Sequence, residues 1–127
     1  NRQALLGSTL GALAAQTWPA DAVEVLVADN GSTDDTRMVV AEAARPGGPT
    51  VRYVFVPEPG KSAAVNQALT LASGDLIAFT DDDVCPEPNW LSRMAAAFDE
   101  TGADFVAGRV HPVWEASPPT WLSPPTW

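Results

Sequence analysis

Val23-Glu24-Val25-Leu26-Val27-Ala28-Asp29-Asn30-Gly31-Ser32 is the stretch on which the fold turns. Val23 to Ala28 is short, apolar and rich in valine, which is the pattern of a buried strand. Asp29 ends the run, and Gly31-Ser32 breaks it. Ser32 followed by Asp35 resembles a capping box, with acidic residues suited to the positive end of a helix. That helix is expected from about Thr33 to Ala44, where Pro46-Gly47-Gly48-Pro49 stops it.

The alternation continues outward. Leu5, Leu6, Leu10 and Leu13 recur at helical spacing and predict a helix over about Ala4 to Gln16, ended by Trp18-Pro19. Val51 to Val56 reads as a second strand, and Pro57-Glu58-Pro59-Gly60 as a turn. Lys61 to Ala72 reads as a helix closed by Ser73-Gly74. Asp75 to Thr80, with Leu76, Ile77 and Phe79, reads as a third strand. Pro86 and Pro88 introduce a helix from about Pro88 to Glu100, with Pro88 in its first turn. Phe105 to Val110 is expected as a fourth strand. Strands alternating with helices predict an α/β fold with a mostly parallel sheet and helices on both faces. Residues 1–113 are expected to form one unit. Residues 114–127 are expected to form a Pro/Trp-rich loop, in which Ser117-Pro118-Pro119-Thr120-Trp121 recurs as Ser123-Pro124-Pro125-Thr126-Trp127. Two copies are too few for a solenoid.

The chain has 127 residues, 46% of them hydrophobic, enough for the core of one small domain. Seven basic against 16 acidic residues leave a net charge of -9. Such a surface repels phosphate backbones, so nucleic acid is not an expected partner. It still admits one phosphorylated small molecule if a metal or a few local donors offset the repulsion. Cys85 is the single cysteine, which excludes an intrachain disulfide and suits a reducing cytosol. No apolar run approaches the roughly 20 residues of a membrane-spanning helix. A start at Asn1 and a stop at Trp127 inside the Pro/Trp-rich stretch read as cuts in a longer protein.

Ligands of parallel sheets bind beyond the carboxyl ends of the strands. Asp29 is expected at one strand end and Asp81-Asp82-Asp83 at another. Three adjacent carboxylates repel one another unless a cation or solvent relieves them. On extended backbone alternate side chains share a side, so Asp81 and Asp83 are expected to converge while Asp82 points elsewhere. Hard oxygen ligands suit magnesium or manganese. The triplet taken alone also reads as a solvated acidic loop with capping duties. Asp29 could accept hydrogen bonds from ribose hydroxyls or a base N–H, or it could belong to an ordinary strand-to-helix turn. Gly60-Lys61-Ser62-Ala63-Ala64-Val65-Asn66 offers a glycine, a lysine and a helix start, which suit an anion. It lacks the upstream glycine of a P-loop. Lys61 could equally be a solvated first-turn lysine, and Asn66 a core-edge hydrogen bonder. His111 reads as a surface or packing residue, because no second ligand stands at a recognisable spacing. Cys85 reads as structural. Trp114, Trp121 and Trp127 could stack on sugar rings or pack the loop onto the body.

Taken in order, Asn1-Arg2, Gln16-Thr17-Trp18-Pro19, Val27-Ala28-Asp29-Asn30-Gly31-Ser32-Thr33-Asp34, Gly60 to Asn66, Ser73-Gly74-Asp75 and Phe79-Thr80-Asp81-Asp82-Asp83 resemble the family 2 glycosyltransferases of the GT-A fold. The resemblance covers nearly the whole chain. It implies a partial GT-A, Rossmann-like fold. It also implies inverting transfer of a sugar from a nucleoside diphosphate donor, often a uridine one, to an acceptor hydroxyl. Asp29 matches the aspartate that contacts the base or ribose. Asp81 and Asp83 match the outer residues of the DxD motif, the first near the ribose and the last on a Mg or Mn ion. Asp82 stands between them as a spacer in the same nucleotide-lining segment. Asn30, Lys61 and Asn66 fall in segments that line the nucleotide pocket. Asn30 stands where aspartate is common, and Lys61 where the residue is often apolar.

By the same resemblance, a first strand central to the sheet is expected before Asn1. An acceptor half bearing the general base is expected beyond Trp127, so no catalytic base is assigned to residues 1–127. The implied partners are a nucleotide-sugar donor and a glycan, lipid or other hydroxyl acceptor, in a cytoplasmic protein at the inner face of the cell membrane. Cell-envelope polysaccharide is the implied product class. Three other classes compete with this reading. A receiver-like signalling domain needs a lysine after a late strand, and no lysine follows Lys61. A sugar-nucleotide pyrophosphorylase needs a glycine- and arginine-rich loop after its first strand. A noncatalytic module would act through the Pro/Trp tail.

Overall fold

The computed structural model describes residues 1–114, 116 and 117. Its elements are α1 (Gln3–Ala14), a short 3-10 turn (Ala20–Ala22), β1 (Glu24–Asp29), α2 (Thr36–Ala43), β2 (Thr50–Phe55), α3 (Lys61–Leu69) and α4 (Trp90–Thr101). β1 and β2 pair in parallel, in register from Glu24 opposite Thr50 to Asp29 opposite Phe55. The fold is therefore α/β with a parallel sheet, as expected, and part of a Rossmann-like arrangement.

Side-chain alternation on the two strands sorts the helices onto opposite faces. Val25 and Val27 on β1 and Val51 and Tyr53 on β2 face one way. They pack against Leu6, Leu10 and Leu13 of α1 and Val40 of α2. Ala28 and Val54 face the other way and, with Val56, meet Ala63 and Ala64 of α3. Of the leucines spaced along α1, Leu6, Leu10 and Leu13 form its buried stripe, while Leu5 is exposed. Trp90 at the start of α4 closes onto the larger cluster.

Two expected strands do not form. Asp75 to Thr80 and Phe105 to Val110 lie outside the sheet, which among the described residues has only β1 and β2. Leu76, Ile77, Phe79, Phe105 and Val110 are exposed. A strand exists only where a neighbour completes its ladder of hydrogen bonds, and neither run has such a neighbour here. The segment after Thr80 is instead fastened to α1 and to the residues just after it. The Thr9 hydroxyl donates to the Asp82 carbonyl at 3.0 Å. Gln16 donates to the Glu87 carbonyl at 2.8 Å and accepts from the Leu91 amide at 3.0 Å. The Thr17 amide donates to the Pro88 carbonyl at 2.7 Å.

Helix boundaries also shift for local reasons. The Ser32–Asp35 capping box does not form. The Ser32 amide donates to Asp29, and the Asp35 amide donates to Gln3 Oε1 at 2.7 Å. Asp34 accepts from the Thr36 amide and hydroxyl, so α2 starts at Thr36 rather than Thr33. α3 ends at Leu69, three residues short of expectation. α4 begins at Trp90, with Pro88 ahead of it rather than within its first turn, and ends at Thr101, where Gly102 follows in the left-handed region. Of the expected 114–127 loop, all but Trp114, Ala116 and Ser117 lies outside the described residues, including Trp121 and Trp127.

Candidate donor-binding site

Asp29 is the last residue of β1 and is only 5% exposed. Its Oδ1 accepts from the Ser32 amide at 2.9 Å, and its Oδ2 accepts from the Tyr53 hydroxyl at 2.5 Å. Burial pushes its carboxyl up, but hydrogen bonds from Ser32 and Tyr53 outweigh burial and hold it below the ordinary value. Tyr53 is raised in turn, first by its bond to Asp29. Arg37 lies over the Tyr53 ring, 5.7 Å from its centre.

Asn30 is exposed, but its side-chain amide is engaged within the protein. Its Nδ2 donates to the Val56 carbonyl at 3.0 Å and the Glu58 carbonyl at 2.5 Å, and its Oδ1 accepts from the Gly60 amide at 2.7 Å. These bonds clamp the β2–α3 loop to the end of β1. Gly60, with φ 122°, needs the freedom glycine has at positive φ. Asn30 therefore shapes the loop before Lys61 rather than presenting a free side chain. Asn30→Ala is expected to lower stability by about 1 kcal/mol and to speed exchange of the Gly60 amide. Urea melts and amide hydrogen exchange check both.

Lys61 opens α3 and reaches across to Asp81, with Nζ 2.6 Å from Oδ1. Its pKa is raised, first by that hydrogen bond and then by the Asp81 charge. Arg2 takes the rest of the triplet: Nη1 lies 2.8 Å from Asp82 Oδ1 and Nη2 3.0 Å from Asp83 Oδ2. Asp81 and Asp83 are expected to converge; here Arg2 bridges Asp82 and Asp83, while Lys61 holds Asp81. The expectation assumed extended backbone, whereas Asp82-Asp83 form a turn. All these ion pairs are exposed to solvent, where such pairs are readily exchanged. Asn66 is exposed on α3 and lines a shallow depression with Glu58, Ser62, Gln67 and Thr70.

Asp29, Asn30, Lys61 and the acidic turn are therefore joined at one edge of the molecule, through Asn30 to Gly60 and Lys61 to Asp81. His111 and Cys85 are exposed, so burial does not account for Cys85 as a structural residue. Among the described residues no group of three or more His, Cys, Asp or Glu side chains is placed to hold a metal ion by itself. Sequence reasoning missed Tyr53, and it gave no role to Arg2, Thr9, Gln3 or Glu24. Glu24 accepts from the Ser73 amide and hydroxyl, both at 2.6 Å, and pairs with Arg52 at 3.2 Å. Tyr53 carried a signal: parallel pairing puts it on the same face as Asp29 and diagonally adjacent.

Three carboxylates link the site and its surroundings to pH. Asp29 is lowered as described. Glu24 is held low first by the Ser73 hydroxyl, and Asp34 first by the Thr36 hydroxyl. A depressed folded-state pKa contributes stability above the unfolded value, which is lost as pH falls through the folded one. Those unfolded values are 4.5 for Glu24 and 3.8 for Asp29 and Asp34. Urea midpoints should be insensitive to these three groups above about pH 5 and fall progressively below it. Ser73→Ala should soften the upper part of that decline.

The fold and site define a parallel α/β protein with a buried, oriented carboxylate and an acidic turn at one edge. The model of glycosyl transferase family 2 matches residues 1–124, and the chain belongs to that family. It is 35% identical over 101 residues to glycosyltransferase AglE of Haloferax volcanii, covering 80% of this chain and 33% of that protein. It is 37% identical over 123 residues to succinoglycan biosynthesis protein ExoM of Rhizobium meliloti, covering 95% of this chain and 40% of that one. It is 41% identical over 102 residues to validoxylamine A glucosyltransferase of Streptomyces hygroscopicus subsp. limoneus, covering 76% and 21%. The chain thus spans well under half the length of these relatives. No solved structure matches it.

Proposed function

We propose that residues 1–127 carry the donor-binding part of an inverting glycosyltransferase that takes a nucleoside-diphosphate sugar, a UDP-sugar by preference. The observation that carries this reading is the continuity of Asp29, the Lys61 end of α3 and the acidic turn at one edge. In the proposal, Asp29 receives a ribose hydroxyl or base N–H. The start of α3 and Lys61 meet the diphosphate, with Asn66 further along that helix. Arg2, released from Asp82 and Asp83, is a second cation near the same charge.

A Mg or Mn ion fits the donor set. The available ligands are carboxylate oxygens, and such ions use one or two carboxylates completed by phosphates and water. This matches a turn that holds no closed cage of its own. Asp83 and Asp81 are the proposed ligands, with Asp82 between them. When bound, the ion would stabilise the negative charge that grows on the leaving diphosphate. For Asp81 and Asp83 to act together, the Lys61 and Arg2 pairs must open, which their exposure permits.

The acceptor is a hydroxyl of a glycan, lipid or similar molecule. Its proton goes to a base supplied from beyond this chain. The name of ExoM, a succinoglycan biosynthesis protein, supports a glycan product; that the glycan is a polysaccharide of the cell envelope, made at the cytoplasmic face of the membrane, is part of the proposal. The open edge of β1 and the unpaired 75–80 run support a further strand between them in the whole protein. The test is UDP release from a panel of UDP-sugars by the whole protein, with and without manganese. Manganese-dependent release is expected. Equal release in a chelator would remove the metal from the proposal, and release from no nucleotide sugar would remove the proposal itself.

A further inference from the structure

We infer that Tyr53 is a positioning residue for the donor site, its hydroxyl fixing the Asp29 carboxylate in the orientation that receives the nucleoside. The inference rests on the donor-site reading above and adds to it a residue from the middle of β2. The Tyr53 hydroxyl donates to Asp29 Oδ2 at 2.5 Å. The Ser32 amide holds the other oxygen at 2.9 Å. With both oxygens engaged and 5% of the residue exposed, the carboxylate cannot rotate freely about its last bond. A carboxylate offers about four acceptor directions, so Asp29 keeps acceptor capacity beyond these two bonds.

The tyrosine is itself held. Its ring packs in the core cluster built on Leu6, Leu10, Leu13 and Val40, and Arg37 covers the ring. The charged or titratable groups facing Asp29 are Tyr53, Arg37 beyond that ring, and the amino group of Asn1. The acceptor is thus ordered before a ligand arrives, which spares the ligand that ordering cost. Removing the hydroxyl alone should loosen Asp29 without disturbing the ring's packing.

The test uses Tyr53→Phe, Asp29→Asn and the double variant in the whole protein, with UDP as probe. Tyr53→Phe should keep the wild-type circular dichroism spectrum and bind UDP about tenfold more weakly. The Asp29 carboxyl, followed by carbon-detected NMR without nucleotide, should titrate at higher pH than in the wild type. The double variant should lose little more affinity than Asp29→Asn alone, the mark of coupled residues. The inference is overturned by an unmoved Asp29 titration, by additive losses in the double variant, or by wild-type affinity in Tyr53→Phe. A wild type that does not bind UDP, or an Asp29→Asn variant that binds it normally, instead overturns the donor-site reading beneath it. The nucleotide-free NMR titration then still reports on the Tyr53–Asp29 contact.

Discussion

Asp29→Ala is expected to weaken UDP binding by the whole protein about 10- to 100-fold, the range for loss of a hydrogen bond to a charged group. It is also expected to destabilise the fold by about 1–3 kcal/mol, because buried donors lose their acceptor. The two effects share one origin. Asp29 is buried at the end of β1, where the Tyr53 hydroxyl and the Ser32 amide both end on it. Alanine leaves both donors without a partner and removes the negative charge at the strand end. Asparagine separates the two consequences. It keeps an acceptor oxygen for one donor and is expected to recover part of the stability while affinity stays low. Calorimetric titration and urea melts measure the two quantities. Wild-type UDP affinity in Asp29→Ala would contradict the assignment of Asp29 to the nucleoside.

Leu10→Ala is expected to cost about 2–5 kcal/mol of stability, the range for deleting a buried leucine side chain. Leu10 is 5% exposed and sits between Leu6 and Leu13 on the stripe that joins α1 to α2 and the sheet. Few buried side chains share that cluster, so the cavity has little to collapse onto it. At about 4–8 °C per kcal/mol for a small domain, the melting temperature should fall by about 8 °C or more. Leu5, five positions before Leu10 on the same helix, is 43% exposed. Leu5→Ala should stay within about 0.5 kcal/mol of the wild type. A reversed order for the two leucines would mean that α1 does not pack as described.

The parts of the fold legible in the sequence are those set by short-range patterns. The α1 leucines and the valine run of β1 announce themselves by spacing, and both elements form within one or two residues of expectation. Asp75–Thr80 and Phe105–Val110 fail for the opposite reason. A strand pattern says that a segment suits a sheet, while the partner that completes it lies elsewhere. α2 starts later than the local pattern suggests because Gln3, on a different helix, holds the Asp35 amide while Asp34 engages Thr36. Local reading of Ser32 and Asp35 has no access to that contact.

The candidate site divides in the same way. Asp29 at a strand end and Lys61 at a helix start follow from local order, and both stand where the spacing put them. The orientation of the triplet does not follow from local order. Alternation predicts Asp81 with Asp83 only on extended backbone, and the turn at Asp82-Asp83 gives the pair to Arg2. Asn30 was legible as polar and near the site, but its engagement with Val56, Glu58 and Gly60 depends on the β2–α3 loop folding back. Family membership is clear from the order of the segments even though several side-chain contacts are not.

The most direct test of a metal-assisted donor site on the acidic turn is a calorimetric titration of the whole protein with UDP, in manganese and in chelator, for wild type and Asp83→Ala. The account predicts UDP binding that manganese strengthens at least tenfold in the wild type, and loss of that strengthening in Asp83→Ala. Equal affinity with and without manganese, unchanged by Asp83→Ala, would contradict it.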